Sequence, residues 1–194
     1  MHTIEIRRLS SADSLDELTS MLHRAFARLG RMGLNCTSFD QSVETTAQRV
    51  RLGECYVAVG DGRLIGTVTL HEPDGRSGVR WYRRPDVASL HQFAVDPSHQ
   101  GTGCGKALLH VAQRWAREHG CCELALDTPA PASHLIELYT SQGFRVVEHV
   151  QLPAKSYRSA VLSKRIDAPT AKRGPRHHVP RSPHAPLFGT MVHQ

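Results

Sequence analysis

Residues 99–109 read HQGTGCGKALL, with glycines at 101, 103 and 105, a lysine at 106, and then apolar residues able to open a helix. Glycine tolerates positive φ and lets backbone N–H groups come close to an anion, so this stretch beside a helix start suggests a phosphate cradle. Two familiar glycine motifs fail here. A P-loop ending at Gly105 and Lys106 needs glycine where Gln100 stands and a hydroxyl where Ala107 stands. A dinucleotide fingerprint begun at Gly101 meets Lys106 in place of its third glycine, and one begun at Gly103 meets Leu108. What survives is Gln-x-x-Gly-x-Gly, carried by Gln100, Gly103 and Gly105.

The flanking sequence places this loop between a strand and a helix. Upstream, Val87 to Val95 reads as a strand closed by Asp96 and Pro97; downstream, Leu108, Val111, Ala112 and Trp115 mark one face of a helix from about Cys104 to His119. The chain opens with an alternating strand at 4–9, followed by a helix that Asp13 or Ser14 can cap. Ser42 to Leu52 reads as a second helix, and two β-rich runs around Asp61 and Gly62 read as a hairpin. A fifth strand over 121–128, a helix over about Ala132 to Gln142 stopped by Gly143, and two final strands complete the pass. The order β-α-α-β-β-β-α-β-α-β-β predicts an α/β (α+β) fold, a mixed sheet of seven strands flanked by four helices.

At 194 residues the chain suits one substantial core. Its five cysteines lack C-x-x-C spacing, which favours a reducing, cytoplasmic setting over a disulfide framework. No apolar run approaches the roughly 20 residues that span a bilayer, so no membrane association is expected. The net charge of +6 suggests nucleic acid at first sight, but half of it falls in residues 167–194, a segment with five prolines and no apolar periodicity. That segment reads as a disordered basic tail behind a domain spanning 1–166. His177, His178, His184 and His193 within it do not form a metal-ligand pattern, and no metal is expected. The rest lacks the aromatic-studded basic face of a nucleic-acid binder.

With HQFAVDPSHQGTGCGKALLHVA at 91–112 and LYTSQGF at 138–144, the sequence resembles the GCN5-related N-acetyltransferase (GNAT) superfamily over roughly residues 3 to 166. The resemblance implies a sheet splayed between strands four and five and acetyl-coenzyme A as acyl donor. The loop Gln100, Gly101, Thr102, Gly103, Cys104 and Gly105, with Lys106 beginning the helix, would hold its pyrophosphate. Backbone groups near Phe93, Ala94 and Val95 would bond the pantetheine arm and polarise the thioester carbonyl; their side chains read equally well as core. One departure from the family is Ala132, which stands where members often carry a cofactor-touching Asn.

Aminolysis of a thioester needs a base to free the amine and a proton for the departing thiolate. Tyr139 matches the family's tyrosine and is the expected acid; the ordinary alternative is a ring packed on the sheet. His91, in SLHQFAV, resembles the second histidine of the arylalkylamine acetyltransferases, whose first falls on Ser89, and is the expected base with an apparent pKa near that of imidazole. The alternatives are a structural histidine with the base supplied by a water chain, Glu123 or Asp127. Arg76, Arg80, Trp81, Arg83 and Arg84 read as solvated loop surface, or as a grip on an acidic or aromatic substrate. The expected activity is acetylation of a small primary amine, with a peptide or protein amino group and a non-catalytic acyl-coenzyme A sensor as alternatives. A homodimer is compatible with the sequence.

Overall fold

The computed structural model describes residues 4–166. The expected basic tail at 167–194, with its four histidines, lies outside the described residues.

The first strand, β1 (Glu5–Arg8), leads into α1 (Leu15–Arg31), whose first turn is closed by the Ser14 hydroxyl accepting the Glu17 N–H at 3.2 Å. A single helical turn, α2 (Thr37–Asp40), and α3 (Val43–Arg51) follow; α2 lies ahead of Ser42, where the sequence predicts no element. Strands β2 (Glu54–Gly60) and β3 (Arg63–His71) form the expected hairpin. Its two-residue turn has positive φ at both Asp61 (50°) and Gly62 (73°), the type I′ geometry that matches strand twist. Beyond β4 (Val87–Val95) come α4 (Cys104–Glu118), β5 (Glu123–Pro129), α5 (Ser133–Ser141), β6 (Arg145–Gln151) and β7 (Arg158–Arg165).

All seven strands join one sheet in the order β1-β2-β3-β4-β5-β7-β6. On one side, Leu108, Leu109, Ala112 and Trp115 of α4 bury against Val68 and Leu70 of β3 and Leu124 and Leu126 of β5. On the other, Leu18, Met21 and Leu22 of α1 cover Val57, Leu64 and Ala94. Side chains on a strand alternate between faces, so each strand feeds both layers.

Two irregularities shape the middle of the sheet. Strands β4 and β5 run parallel but pair only from Val87↔Glu123 to Ser89↔Ala125, so the β4 edge from Leu90 onward turns backbone groups toward a strand that no longer meets them. Within β4 there is also a bulge. Thr67 pairs with Ala94 and Thr69 with His91, so one residue of β3 opposes two of β4, and Gln92 takes φ 47°. Before the bulge Ala88 and Leu90 face the α4 layer; after it Phe93 and Val95 do. His91 and Gln92 therefore both face the α1 side.

Candidate active site at the splayed strands

The glycine loop leaves β4 through Asp96, whose carboxylate accepts from Ser98 and from Nε and Nη2 of Arg24 on α1 at 2.8 and 2.7 Å. Burial pushes this carboxyl up, but the bonds from Ser98 and Arg24 outweigh it and leave the net shift downward, as a charged anchor requires. Gln100 donates from Nε2 to the Val95 carbonyl at 3.2 Å, and Thr102 donates to the His99 carbonyl at 2.7 Å. Gly101 and Gly103 stand at φ 78° and 91°, and a Cβ on either would meet nothing within 4 Å.

Gly103 is the N-cap of α4 and offers no side-chain acceptor. The first backbone bond of the helix is Ala107 N–H to the Gly103 carbonyl at 3.0 Å, so the N–H groups of Cys104, Gly105 and Lys106 point outward without intrahelical partners. With the dipole end behind them and exposed Lys106 beside them, they fit a pyrophosphate. Cys104 enters only through its backbone: its side chain is buried in the core, and burial raises its thiol pKa.

Phe93 links the loop to Tyr139. A Cβ on Gly105 would lie 3.6 Å from the Phe93 ring, and on the other side the Phe93 and Tyr139 rings have centroids 6.3 Å apart. Tyr139 also meets Phe144 edge-on at 6.0 Å, which aligns the two ends of the LYTSQGF stretch. Burial raises the Tyr139 phenol pKa, and the charge of Asp127 raises it further, so the hydroxyl holds its proton at neutral pH. Ala132 is fully buried with Leu29, Leu34 and Tyr157, a packing position.

His91 lies across the sheet from Tyr139, in a pocket of about 240 Å³ lined by Arg49, Leu52, His71, His91 and Gln92. Its Nε2 shares a hydrogen bond of 2.9 Å with the Ser89 hydroxyl, its ring lies against that of His71 at a tilt of 30° with centroids 4.2 Å apart, and the edge of Tyr82 approaches at 5.7 Å. Nδ1 is the nitrogen left open. Burial, then the charges of His71 and Arg49, bring its pKa down to about 3. An imidazole there stays neutral throughout the physiological range, so it cannot give the titration near the ordinary value that its sequence suggests.

Tyr82 acquires importance that the sequence alone does not assign, through Asp127, one of the alternative bases. Tyr82, buried on a 3₁₀ turn at Arg80–Arg83, donates to Asp127 Oδ1 at 3.2 Å. Asp127 lies on β5 beyond the last residue paired with β4, and burial outweighs its bonds from Ser159 and Tyr82 to raise its pKa. Glu123 is different. It accepts from Ser163 and lies within ion-pair distance of Arg84 and Arg145 at the closed end of the splay. Arg84 also pairs with Asp86 and stacks over Trp81 at 4.4 Å, and Arg83 donates to the Ser77 carbonyl, so these loop cations serve the loop itself.

Among the described residues no group of three or more His, Cys, Asp or Glu is placed to hold a metal, and no helix is long and apolar enough to cross a membrane.

A glycine cradle at a helix N-terminus lies next to a parallel strand pair that opens after three residues, an arrangement suited to an anionic, strand-like ligand. The sequence from 20 to 144 matches the acetyltransferase (GNAT) family, and the chain belongs to it, as an acyltransferase enzyme. It is similar to an S-(2-succino)cysteine N-acetyltransferase of Bacillus subtilis (strain 168), 27% identical over 71% of this chain and 82% of that one. It is 30% identical to an aminoglycoside N(6')-acetyltransferase type 1 of Stenotrophomonas maltophilia over 73% of this chain and 92% of that one. A solved GNAT family acetyltransferase from Elizabethkingia anophelis with acetyl-CoA bound shares the fold, at TM-score 0.59 and 19% identity over 84% of this chain and 97% of that one.

Proposed function

We propose that this protein transfers the acetyl group of acetyl-coenzyme A to a primary amine of a small molecule, working in the cytoplasm through a domain at residues 1–166. The observation that carries the reading is the convergence at one opening of the sheet: the outward N–H groups of α4, the unpaired edge of β4 at Phe93, Ala94 and Val95, and the Tyr139 phenol. The names of the S-(2-succino)cysteine and aminoglycoside relatives support a small acceptor.

In this account the loop from Gln100 to Lys106 holds the pyrophosphate, and the free β4 edge holds the pantetheine arm as a neighbouring strand would. The donor supplies an activated acyl group when bound. A β4 N–H at the splay stabilises the oxyanion that develops during transfer. Tyr139 gives its proton to the leaving thiolate, for which a phenol kept protonated by burial is suited.

His91, open at Nδ1, receives the proton of the attacking amine. Because burial makes His91 a weak base, that proton moves on to a stronger acceptor, and Asp127 with its raised pKa fits the role. Activity falls as the final acceptor becomes protonated, and a His91 of pKa about 3 contributes no loss between pH 7 and 5. His91→Ala should therefore lower kcat/KM roughly 10- to 100-fold while the acid limb stays in place, whereas Asp127→Asn should abolish the limb. A limb that disappears with His91→Ala instead gives the titration to His91.

The function itself is tested by incubating the protein with acetyl-coenzyme A and a panel of primary amines and reading product masses. An amine heavier by one acetyl group is expected. Tight donor binding with no acetylated amine would leave a sensor.

A further inference from the structure

The pocket beside His91 is rich in hydrogen-bond donors, and no carboxylate lines it, although the charge of Asp127 reaches Arg49 from beyond the wall. Arg49 projects into it from α3 and is held from behind: Nη1 donates to the Ser38 hydroxyl at 2.9 Å and to Gln41 Oε1 at 2.6 Å. Gln41 in turn donates to Thr46, which takes a further bond from Thr19 of α1 at 2.7 Å, so the guanidinium sits in a fixed polar frame. Both of its partners are neutral. Among the described residues no carboxylate forms an ion pair with Arg49, although a guanidinium keeps its charge when buried.

Two polar atoms in the pocket wall lack partners. Nε2 of His71 and Nε2 of Gln92 are buried without a hydrogen bond, and Gln92 is only 5% exposed. Gln92 occupies the β4 bulge at φ 47°, a conformation that side chains rarely adopt and that tends to persist where function needs it. Buried polar atoms left unpaired are costly, and these two, beside a guanidinium whose only partners are neutral, call for an acceptor supplied from outside.

We propose that Arg49, His71 and Gln92 form a carboxylate subsite, and that the acceptor amine is an amino acid or a similar small amine with a carboxylate near its nitrogen. The inference rests on the acetyltransferase reading, since the subsite would place that nitrogen at His91. A carboxylate takes the fork of a guanidinium through two oxygens, accepts from the Gln92 amide, and selects the His71 tautomer with hydrogen on Nε2. A volume of about 240 Å³ accommodates the carboxylate and the few atoms joining it to the amine. The subsite lies on the α1 face of the sheet, and the glycine loop meets Phe93 on the other, so donor and acceptor enter from opposite sides.

The test compares methionine, phenylalanine and glutamate with their α-carboxamides, as acetyl acceptors and as ligands in calorimetric titration. The carboxamides are the less basic amines and so the more reactive at neutral pH, which means that preference for the acids cannot come from the amine itself. Acids should exceed amides in kcat/KM by roughly 100-fold, the worth of charge-assisted hydrogen bonds. Arg49→Gln should bring that ratio close to one, and Arg49→Lys should restore part of it, both with acetyl-coenzyme A affinity kept as evidence of folding. Equal use of acids and amides, or an equal loss of both in Arg49→Gln, overturns the subsite. If no amine is acetylated, titration decides: acid-selective binding lost in Arg49→Gln upholds the subsite and refutes acetyl transfer, and binding without selectivity refutes both.

Discussion

Tyr139→Phe should lower kcat roughly 10- to 1000-fold while leaving acetyl-coenzyme A affinity unchanged, the effect of removing one acid catalyst. The substitution deletes an oxygen and keeps the ring, so the contacts with Phe93 and Phe144 survive and the opening of the sheet keeps its shape. The loss should also be smaller for a donor whose leaving thiol is more acidic, because such a group needs less help in departing. Steady-state rates of both proteins with the same amine check the first point. An unchanged kcat would make Tyr139 a packing residue, and the proton would have to come from water.

The second large effect lies in the glycine loop. Gly103 holds φ 91° at the start of α4, where a side chain is strained whatever space surrounds it. Gly103→Val should therefore misalign the N–H groups of Cys104, Gly105 and Lys106 and weaken acetyl-coenzyme A binding by roughly 100-fold or more, several charge-assisted hydrogen bonds being lost together. Gly105→Ala provides the contrast: its new Cβ would meet Val95 and Phe93 at 3.5 and 3.6 Å, ordinary contact distances, so affinity should stay within about tenfold. Calorimetric titration of the two folded variants reads the difference directly. Equal affinities for wild type and Gly103→Val would move the pyrophosphate away from this loop.

Much of this architecture is legible in the chain because its signals are local. The spacing of Leu108, Ala112 and Trp115 marks α4, the Asp61-Gly62 pair marks its hairpin, and Ser14 and Ser42 cap the helices that follow them. The one-turn helix α2 escapes because four residues cannot display a period. Features set by distant partners are less visible. The bulge at Gln92 depends on how β3 meets β4, and nothing in SLHQFAV announces that His91 and Gln92 will face the same side.

The depressed pKa of His91 comes from enclosure by His71, Tyr82 and Arg49, three residues from three other elements, so the strand's own sequence suggests an ordinary imidazole. Arg49 reads in sequence as one more cation on a helix. Its significance appears only when α3 folds over the sheet beside His71 and Gln92. The roles of Glu123 and Asp127 separate for a related reason. The first is enclosed by Ser163, Arg84 and Arg145 where the strands still pair, and the second lies where they have parted.

Whether the open sheet and the Tyr139 phenol together perform acyl transfer to an amine is decided by counting free thiol released from acetyl-coenzyme A against N-acetylated amine formed, with wild type and Tyr139→Phe side by side. Thiol release should depend on the amine, match the acetylated product in amount, and be much slower in the variant; release without an acetylated product, or none at all despite tight donor binding, would rule out acyl transfer at this site.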